Sequence, residues 1–590
     1  RKLLAGLAKD GPDFPRRWSW SDFRIPKPRA TTPRPSAALT MPIPPRFEEE
    51  AKSRGLDFTY DNGASRRGPI LQSPEIMASG VGLLDFDGDG WLDVYLTQGG
   101  DFPPRPSLSE TGGDRLFRNI GGGRFEDVTT RAGLAEHKGY GLGVAVGDYD
   151  DDGDPDLFLT RWRAYVLYRN NGDGTFTDVT NEIGLGGERD WPTSAAFADL
   201  DQDGDLDLYV CHYLAWDPAR PKVCKDAVSG LALYCNPRDS AALSDHVFRN
   251  EGNRFVDMTS ESGLVDREGR GLGVLAADLD EDHRIDLFVA NDESANYLWR
   301  NQGGFRFEDV ASPWGVAGNA QGGYQAGMGV ACGDWNGDGR PDLAVTNFFG
   351  ESTTFYQNLG PGIFTDRTRV VGLAAPSRNL LGFGLAALDA NNDGILDLMS
   401  ANGHLNQLRD SPYKMPTQLL LGTSGANGFR FLDATDRAGE SLRAPRLGRG
   451  LAVGDLDNDG RVDAVVTDLD APLAVLMNRT ENAGRFLGLR LEGTRSGRDA
   501  VGAKIRVEAG GRVQVAQRLG GGSYQSASDP RLHFGLDAAR VVDRVEIRWP
   551  SGRIDSFLHL AVDCYYSVRE GGPCQRLPIH DSHRGRPDEP

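Results

Sequence analysis

Asp85, Asp87, Asp89 and Asp93 fall within nine residues, Asp85-Phe86-Asp87-Gly88-Asp89-Gly90-Trp91-Leu92-Asp93. Carboxylates at positions 1, 3, 5 and 9, with a glycine at position 6 for a sharp turn, can wrap oxygens around a hard cation. Position 7 adds its backbone carbonyl. Ca2+ accepts six to eight oxygens at flexible geometry, whereas Mg2+ tends to keep its waters. An EF-hand would need Glu at position 12, where this chain has Leu96, and the flanking apolar runs read as strands. The same pattern recurs at Asp148, Asp150, Asp152 and Asp156; at Asp199, Asp201, Asp203 and Asp207; and at Asp278, Asp280, Asp282 and Asp286. It recurs again at Asp334, Asn336, Asp338 and Asp342; at Asp389, Asn391, Asp393 and Asp397; and at Asp455, Asp457, Asp459 and Asp463. His283 replaces the turn glycine in the fourth loop, and Asn336 and Asn391 each remove one carboxylate, so these loops should hold a cation less tightly. Crowded carboxylates repel one another and oppose folding unless a cation joins them. The expected cofactor is Ca2+, up to seven ions, which would bring the formal charge from -20 to -6.

The motif starts lie 51 to 79 residues apart, and each copy sits between two apolar runs, such as Gly143–Gly147 and Leu157–Leu159. Runs of this length joined by a glycine turn read as a β-hairpin. A second signature alternates with the first: Phe, seven residues, then Gly, as in Phe125 to Gly133, Phe176 to Gly184, Phe255 to Gly263, Phe307 to Gly315, Phe364 to Gly372 and Phe431 to Gly439. Most copies follow a strand ending in Arg-Asn or Gln-Asn, such as Leu116-Phe117-Arg118-Asn119. Each repeat therefore holds four strands, and such units at this spacing predict propeller blades, whose radial closure leaves only short sheet edges. The hairpin at Asp455 has no Phe-x7-Gly after it, but Phe47 leads to Gly55 with the same spacing. The N-terminal strand at 46–50 is thus expected to close the last blade. The predicted fold is all-β: a seven-bladed β-propeller with calcium-loop hairpins, followed by a small C-terminal β domain.

Composition limits the partners. The 590 residues carry 85 acidic and 65 basic side chains, and an acidic balance argues against nucleic acid, which needs a basic face. There is no apolar run of the ~18 residues that a membrane-spanning helix requires. Of six cysteines, Cys224 with Cys235 and Cys564 with Cys574 are close enough in sequence for local disulfides, which would imply an oxidising compartment. Cys211 and Cys332 sit in strand-like runs and read as buried thiols. The chain begins with Arg, and its N-terminus reads as already processed or as cut from a longer chain. The expected location is secreted, periplasmic or cell-surface.

The repeats from about 46 to 480 resemble the FG-GAP/VCBS repeats of integrin α-subunit propellers. After Asn478 the pattern changes to alternating strands at Phe486–Leu491, Ala503–Glu508, Arg512–Gln517 and Val545–Trp549. The stretches Gly502-Ala503-Lys504-Ile505, Gly521-Gly522-Ser523-Tyr524, Leu532-His533-Phe534-Gly535-Leu536 and Trp549-Pro550-Ser551-Gly552 resemble the ASPIC/UnbV domain. The two together are the arrangement of the cartilage acidic protein 1-like family and its bacterial relatives. The organisation expected is an extended Pro- and Arg-rich arm at 1–45, the propeller at 46–480, the ASPIC/UnbV-like β domain at 481–574 and a polar tail at 575–590. The resemblance implies a secreted or envelope calcium-binding protein, with no EGF-like module visible at the C-terminus.

In a blade the first-to-second and third-to-fourth turns share one face, so the second-to-third connections open on the other. Five residues past each motif, that opposite rim carries Gln98, Arg161, His212, Asn291, Asn347, Asn402 and Asp468. Arg161, His212, Asn291, Asp292, Asn347, Asn402 and His404 are the candidate ligand-binding residues, and the insertion from Tyr213 to Asp245 rises from the same rim. Binding sites favour loops held on a rigid scaffold. No Gly-x-Ser-x-Gly elbow, His-Glu-x-x-His or phosphate loop is present. The leading expectation is a calcium-stabilised module binding a protein or glycan outside the cytoplasm, in adhesion or as an accessory subunit of an envelope assembly. The alternative is a natural-product-type tailoring enzyme with its site on the face opposite the calcium loops, using Arg161, His212, Asp292 and His404.

Overall fold

A computed structural model describes residues 43–577 except 67–69, 78, 105–112, 137–138, 228, 266–267, 409–410 and 426–427. The arm at 1–45 and the tail at 575–590 therefore fall outside the described residues, apart from 43–45 and 575–577.

Alternating apolar runs and glycine-rich turns produce a series of antiparallel sheets. In the first, Val81–Leu84 pairs with Asp93–Leu96, then come Arg115–Asn119 and Phe125–Asp127. The same order recurs from Gly141–Gly147, Pro192–Ala198, Gly271–Ala277, Val330–Gly333, Gly382–Leu388 and Gly448–Gly454 as the first strands. Among the described residues this makes seven sheets of one pattern, and the first strand of each neighbours that of the next, with the last returning to Val81–Leu84. In the seventh, the outer strand is Phe47–Glu49, paired antiparallel with Ala474–Asn478 through Phe47 opposite Asn478 and Glu49 opposite Leu476.

The Phe-x7-Gly spacing has a direct cause in these contacts. The glycine of each copy lies against the phenylalanine carbonyl of the next sheet's outer strand. Gly184 has φ 89°, and a Cβ there would stand 2.7 Å from the Phe255 carbonyl; Gly55 is placed in the same way against Phe125, at 2.3 Å. Only glycine tolerates both the left-handed backbone and that approach.

Residues 485–576 form two further four-stranded sheets around Leu487, Ile505, Val545, Ile547 and Trp549. One contains Arg485–Glu492 running parallel to Cys564–Arg569, and the other is built on Lys504–Ala509 and Val541–Arg548. Cys574 lies opposite Val568 in this domain, and Cys564 and Cys574 are separate thiols. The expected 564–574 disulfide is therefore corrected: the register offsets the two side chains. Cys224 and Cys235 are bonded, and Cys211 and Cys332 are buried.

Between Gln517 and Leu532 the C-terminal domain sends a loop into the axis of the ring. First strands expose one edge to the channel, and unpaired edge amides need partners. The loop supplies them. Ala527 bonds Val81 and Leu83, the Gln525 carbonyl accepts from Val144, and the Gly522 amide donates to Val274. Ser523 exchanges both backbone bonds with Val330, at 2.7 and 3.1 Å, and Asp529 N–H donates to Val453. Side chains complete the circuit: Ser194 Oγ accepts from Gln525 N–H at 2.9 Å, and Ser523 Oγ accepts from Leu385 N–H and donates to the Leu451 carbonyl. One loop thus bonds the first strands of all seven sheets. At its tip Tyr524 is fully buried, edge-on to Phe383 at 5.1 Å, and its hydroxyl donates to the Met77 carbonyl. Tyr524→Ala is expected to lower unfolding free energy by about 3–5 kcal/mol, from lost burial and the cavity left behind. Denaturant titration checks this, and a loss below ~1 kcal/mol would show that the loop is not part of the core.

Candidate functional site

Each acidic loop is held by its own aspartates in the same way. The first aspartate accepts the backbone N–H of position 6 on Oδ2, at 2.7 to 3.1 Å across the seven loops. The position-5 carboxylate accepts the N–H of position 7, as Asp89 does from Trp91 and Asp152 from Asp154. The ninth position is different. Asp93, Asp156, Asp207, Asp286, Asp342, Asp397 and Asp463 are all essentially fully buried. One oxygen of each accepts from the third strand, at 2.7 to 2.9 Å. In six of the seven the other accepts the N–H of position 2, at 2.8 to 3.1 Å. This residue ties hairpin to third strand before any cation is considered, although its oxygens keep further lone pairs.

Several loop oxygens have no protein partner. Asp85 Oδ1, Asp87 Oδ1, Asp150 Oδ1, Asp201 Oδ1, Asp278 Oδ1 and Asp457 Oδ1 are buried without a hydrogen bond. In the first four loops, ligand oxygens from three carboxylates converge within 4.8 Å, for example those of Asp85, Asp87 and Asp93 and those of Asp278, Asp280 and Asp282. Buried carboxylate oxygens carry a heavy desolvation cost unless paired, so this donor set fits a hard divalent cation. In the fifth and sixth loops the asparagine amide turns inward instead, Asn336 Nδ2 to Asp342 and Asn391 Nδ2 to Asp393. Burial, with neighbouring carboxylates, pushes Asp148 up to about 8 and Asp199 to about 7. Burial likewise raises Asp85 to about 6, against the pull of Arg490.

The asparagine that ends the third strand explains itself here. Its amide bonds the position-2 carbonyl of the preceding loop: Asn119 to Leu456, Asn170 to Phe86, Asn250 to Tyr149, Asn301 to Leu200, Asn358 to Leu279 and Asn478 to Ala390, at 2.7 to 3.1 Å. Six of the seven loop-to-loop junctions are thereby bonded; in the sheet of Gln418–Gly425, Gly422 stands at the asparagine's place. The recurring Arg-Asn pair signalled this in the sequence, but nothing local shows that the amide crosses to the neighbouring sheet. The arginine before it reaches the acidic loop, Arg118 to Asp87 and Asp89 and Arg300 to Asp280 and Asp282.

The C-terminal domain sits over this same face. Arg490 lies 3.5 Å from Asp85 and Arg498 3.5 Å from Asp148, while Lys504 Nζ is 2.8 Å from Asp278 Oδ2. Tyr565 donates to Asp455 at 2.8 Å, and His533 meets Asn392. Beside the axial loop two chambers of about 260 and 220 Å3 lie between domain and ring.

The opposite rim does not present the polar ring expected from sequence. Gln98, Arg161, His212, Asn291, Asn347, Asn402 and Asp468 are all buried. Arg161 pairs with Asp114, His212 meets the Tyr165 hydroxyl at 2.6 Å, Asn291 donates to the Ala295 carbonyl, Asn347 to Ser352 and Asn402 to Pro416. These side chains satisfy connections at strand ends, so the reading of them as a recognition surface is corrected. The four residues proposed for catalysis do not converge: Asp292, raised to about 7 by burial, accepts from Tyr213, and His404 accepts from Asn406 N–H between Phe348 and Phe349. The insertion from Tyr213 to Asp245 folds over the channel mouth instead. Trp216 bonds Gln72, the Tyr234 amide bonds Asn406, and Asn236 and Arg238 grip Glu293.

Among the described residues no helix is long and apolar enough to cross a membrane. A family model for the FG-GAP-like repeat matches residues 85–159, 148–210, 278–345 and 334–400, and one for ASPIC and UnbV matches 493–574. Cartilage acidic protein 1 of Xenopus tropicalis is 25% identical over 505 residues, covering 82% of this chain and 72% of that protein. The Homo sapiens protein is 24% identical over 511 residues, covering 82% and 70%. A solved structure, YCF48 bound to D1 peptide, aligns over 72% of this chain and 98% of its own at 10% identity and TM-score 0.37, too slight a likeness to argue from. Repeats, domain order and identity together make this chain an FG-GAP-repeat propeller with an ASPIC and UnbV domain, homologous to cartilage acidic protein 1.

Proposed function

We propose that the protein is a calcium-stabilised interaction module that works outside the cytoplasm and binds a protein partner on the face opposite the acidic loops. The observation that carries this reading is the filled axis: the C-terminal domain covers the loop face and its Gly520–Asp529 segment occupies the channel. The remaining broad face bears the insertion, stapled by Cys224–Cys235, with Val223 and Leu231 exposed at its tip. Exposed aliphatic side chains on a rigid loop favour protein contact. The disulfide and the name of the relatives, which places them in cartilage, agree with an oxidising, extracellular setting. The calcium part rests on the partnerless carboxylate oxygens of the loops.

Two experiments test this. Crosslinking of the native protein in calcium should give partner peptides joined to Lys222 or Lys225 in the insertion; crosslinks confined to the C-terminal domain would reverse the choice of face. Chelation should lower the melting temperature by roughly 10 °C or more, since a cation bound only by the folded state stabilises it by mass action. A melt indifferent to chelator, with metal analysis near zero, would remove calcium from the account. pH adds a sign. A carboxyl whose folded pKa is raised contributes stability that is full below about 4 and is lost as pH rises through the folded value, here about 6 to 8. Chelated protein should therefore melt higher at pH 5 than at pH 8, and calcium should remove that difference.

A further inference from the structure

The fourth loop differs from the other six in two independent ways. His283 occupies position 6 at φ 70°, where the rest have glycine. It is also the loop whose first aspartate is met most closely by a cation from the C-terminal domain, Lys504 Nζ at 2.8 Å from Asp278 Oδ2. The pair is largely withdrawn from water, with Asp278 at 2% and Lys504 at 23% side-chain exposure. Asp278 Oδ2 also accepts the His283 N–H, while Oδ1 is buried and has no partner. Asp280 and Asp282 carry arginines of their own repeat, Arg300 on Asp280 at 2.7 Å and Arg284 on Asp282, while Asp286 accepts backbone N–H groups of Leu279 and Asn301. Among the described residues no cation of the C-terminal domain lies within 4.0 Å of Asp199, Asp334 or Asp389.

We propose that Lys504 sets how tightly the fourth loop takes up its divalent cation, and so links loading of that loop to docking of the C-terminal domain. The inference rests on the calcium reading above. The chemistry is Coulombic. An ion received by Asp278 Oδ1 stands within a few ångström of an ammonium group on the same carboxylate, in a setting poorer in water than the surface, where such repulsion is least screened. A docked lysine therefore weakens uptake, and by reciprocity an ion in the loop weakens the lysine's hold. Lys504 is a positioning residue on the strand Lys504–Ala509, not a ligand. Arg490 and Arg498, at 3.5 Å from Asp85 and Asp148, act in the same sense on the first and second loops, with less force at greater distance.

Hydrogen exchange of the full chain across buffered free calcium reads each loop separately. The peptide spanning 278–286 reports the fourth loop and that spanning 334–342 the fifth. Lys504→Met is expected to move the calcium midpoint of the first peptide about tenfold lower. The second should stay in place, and Lys504→Arg should keep the native midpoint. A midpoint for 278–286 that is unmoved or higher in Lys504→Met overturns the proposal while leaving calcium binding intact. Native protein that takes up no calcium overturns the calcium reading and this inference with it. Melting in saturating calcium confirms that the variant is folded, and Lys504→Gln carries the same test should the methionine variant fail to fold.

Discussion

Seven first strands face one axis with their hydrogen-bonding edges bare, and the Gly520–Asp529 loop of the C-terminal domain answers all seven. A sheet edge left open is either hydrated or a template for other chains. Here the edges are occupied from within. The composition of the loop follows from its task. Gly520 passes where a Cβ would stand 2.2 Å from the Phe197 carbonyl, the serines offer hydroxyls that both donate and accept, and Tyr524 closes the far end against Phe383. The C-terminal domain is therefore the axle of the ring, and its position over the acidic loops is a consequence of where the axle enters.

That placement changes what the acidic loops are for. Their ninth-position aspartates hold each hairpin to its third strand, and the third-strand asparagines bond one loop to the next. Metal would add the remaining bonds, to oxygens that the protein itself leaves unmet. The same face is then shared by carboxylates, their own arginines and the cations of the C-terminal domain. Charge on this side of the ring is a structural quantity, balanced between the strands of the ring and the C-terminal domain.

Much of the fold was legible because its signals are local and repeated. The acidic nine-residue motif and the Phe-x7-Gly spacing each fix a turn or a close approach that only certain residues permit, so the alternation of hairpins could be read directly from the chain. The strand expected at Arg512–Gln517 has those bounds, and the one expected at Ala503–Glu508 runs from Lys504 to Ala509. What stayed hidden depends on contacts distant in sequence. Gly521-Gly522-Ser523-Tyr524 carries part of the ASPIC/UnbV resemblance, and nothing in it shows that the partners are residues 81 to 453. The polar residues five places past each motif were misjudged for the opposite reason: a strand end that meets solvent and one that turns beneath a loop look alike in sequence. Arg161 is met by Asp114, just before the strand Arg115–Asn119, and His212 by Tyr165 on the neighbouring sheet's strand Ala164–Asn170. Cys564 and Cys574 were close in the chain, but strand register placed Val568 opposite Cys574.

Calorimetry of the intact chain in calcium tests most directly whether ring and axle are one structure. The account predicts a single cooperative transition, with calorimetric and van't Hoff enthalpies in agreement, because the axial loop cannot leave without baring the seven first strands. Two resolved transitions, one for residues 46–480 and one for 481–574, would contradict it and make the C-terminal domain a separate module resting on a self-sufficient ring.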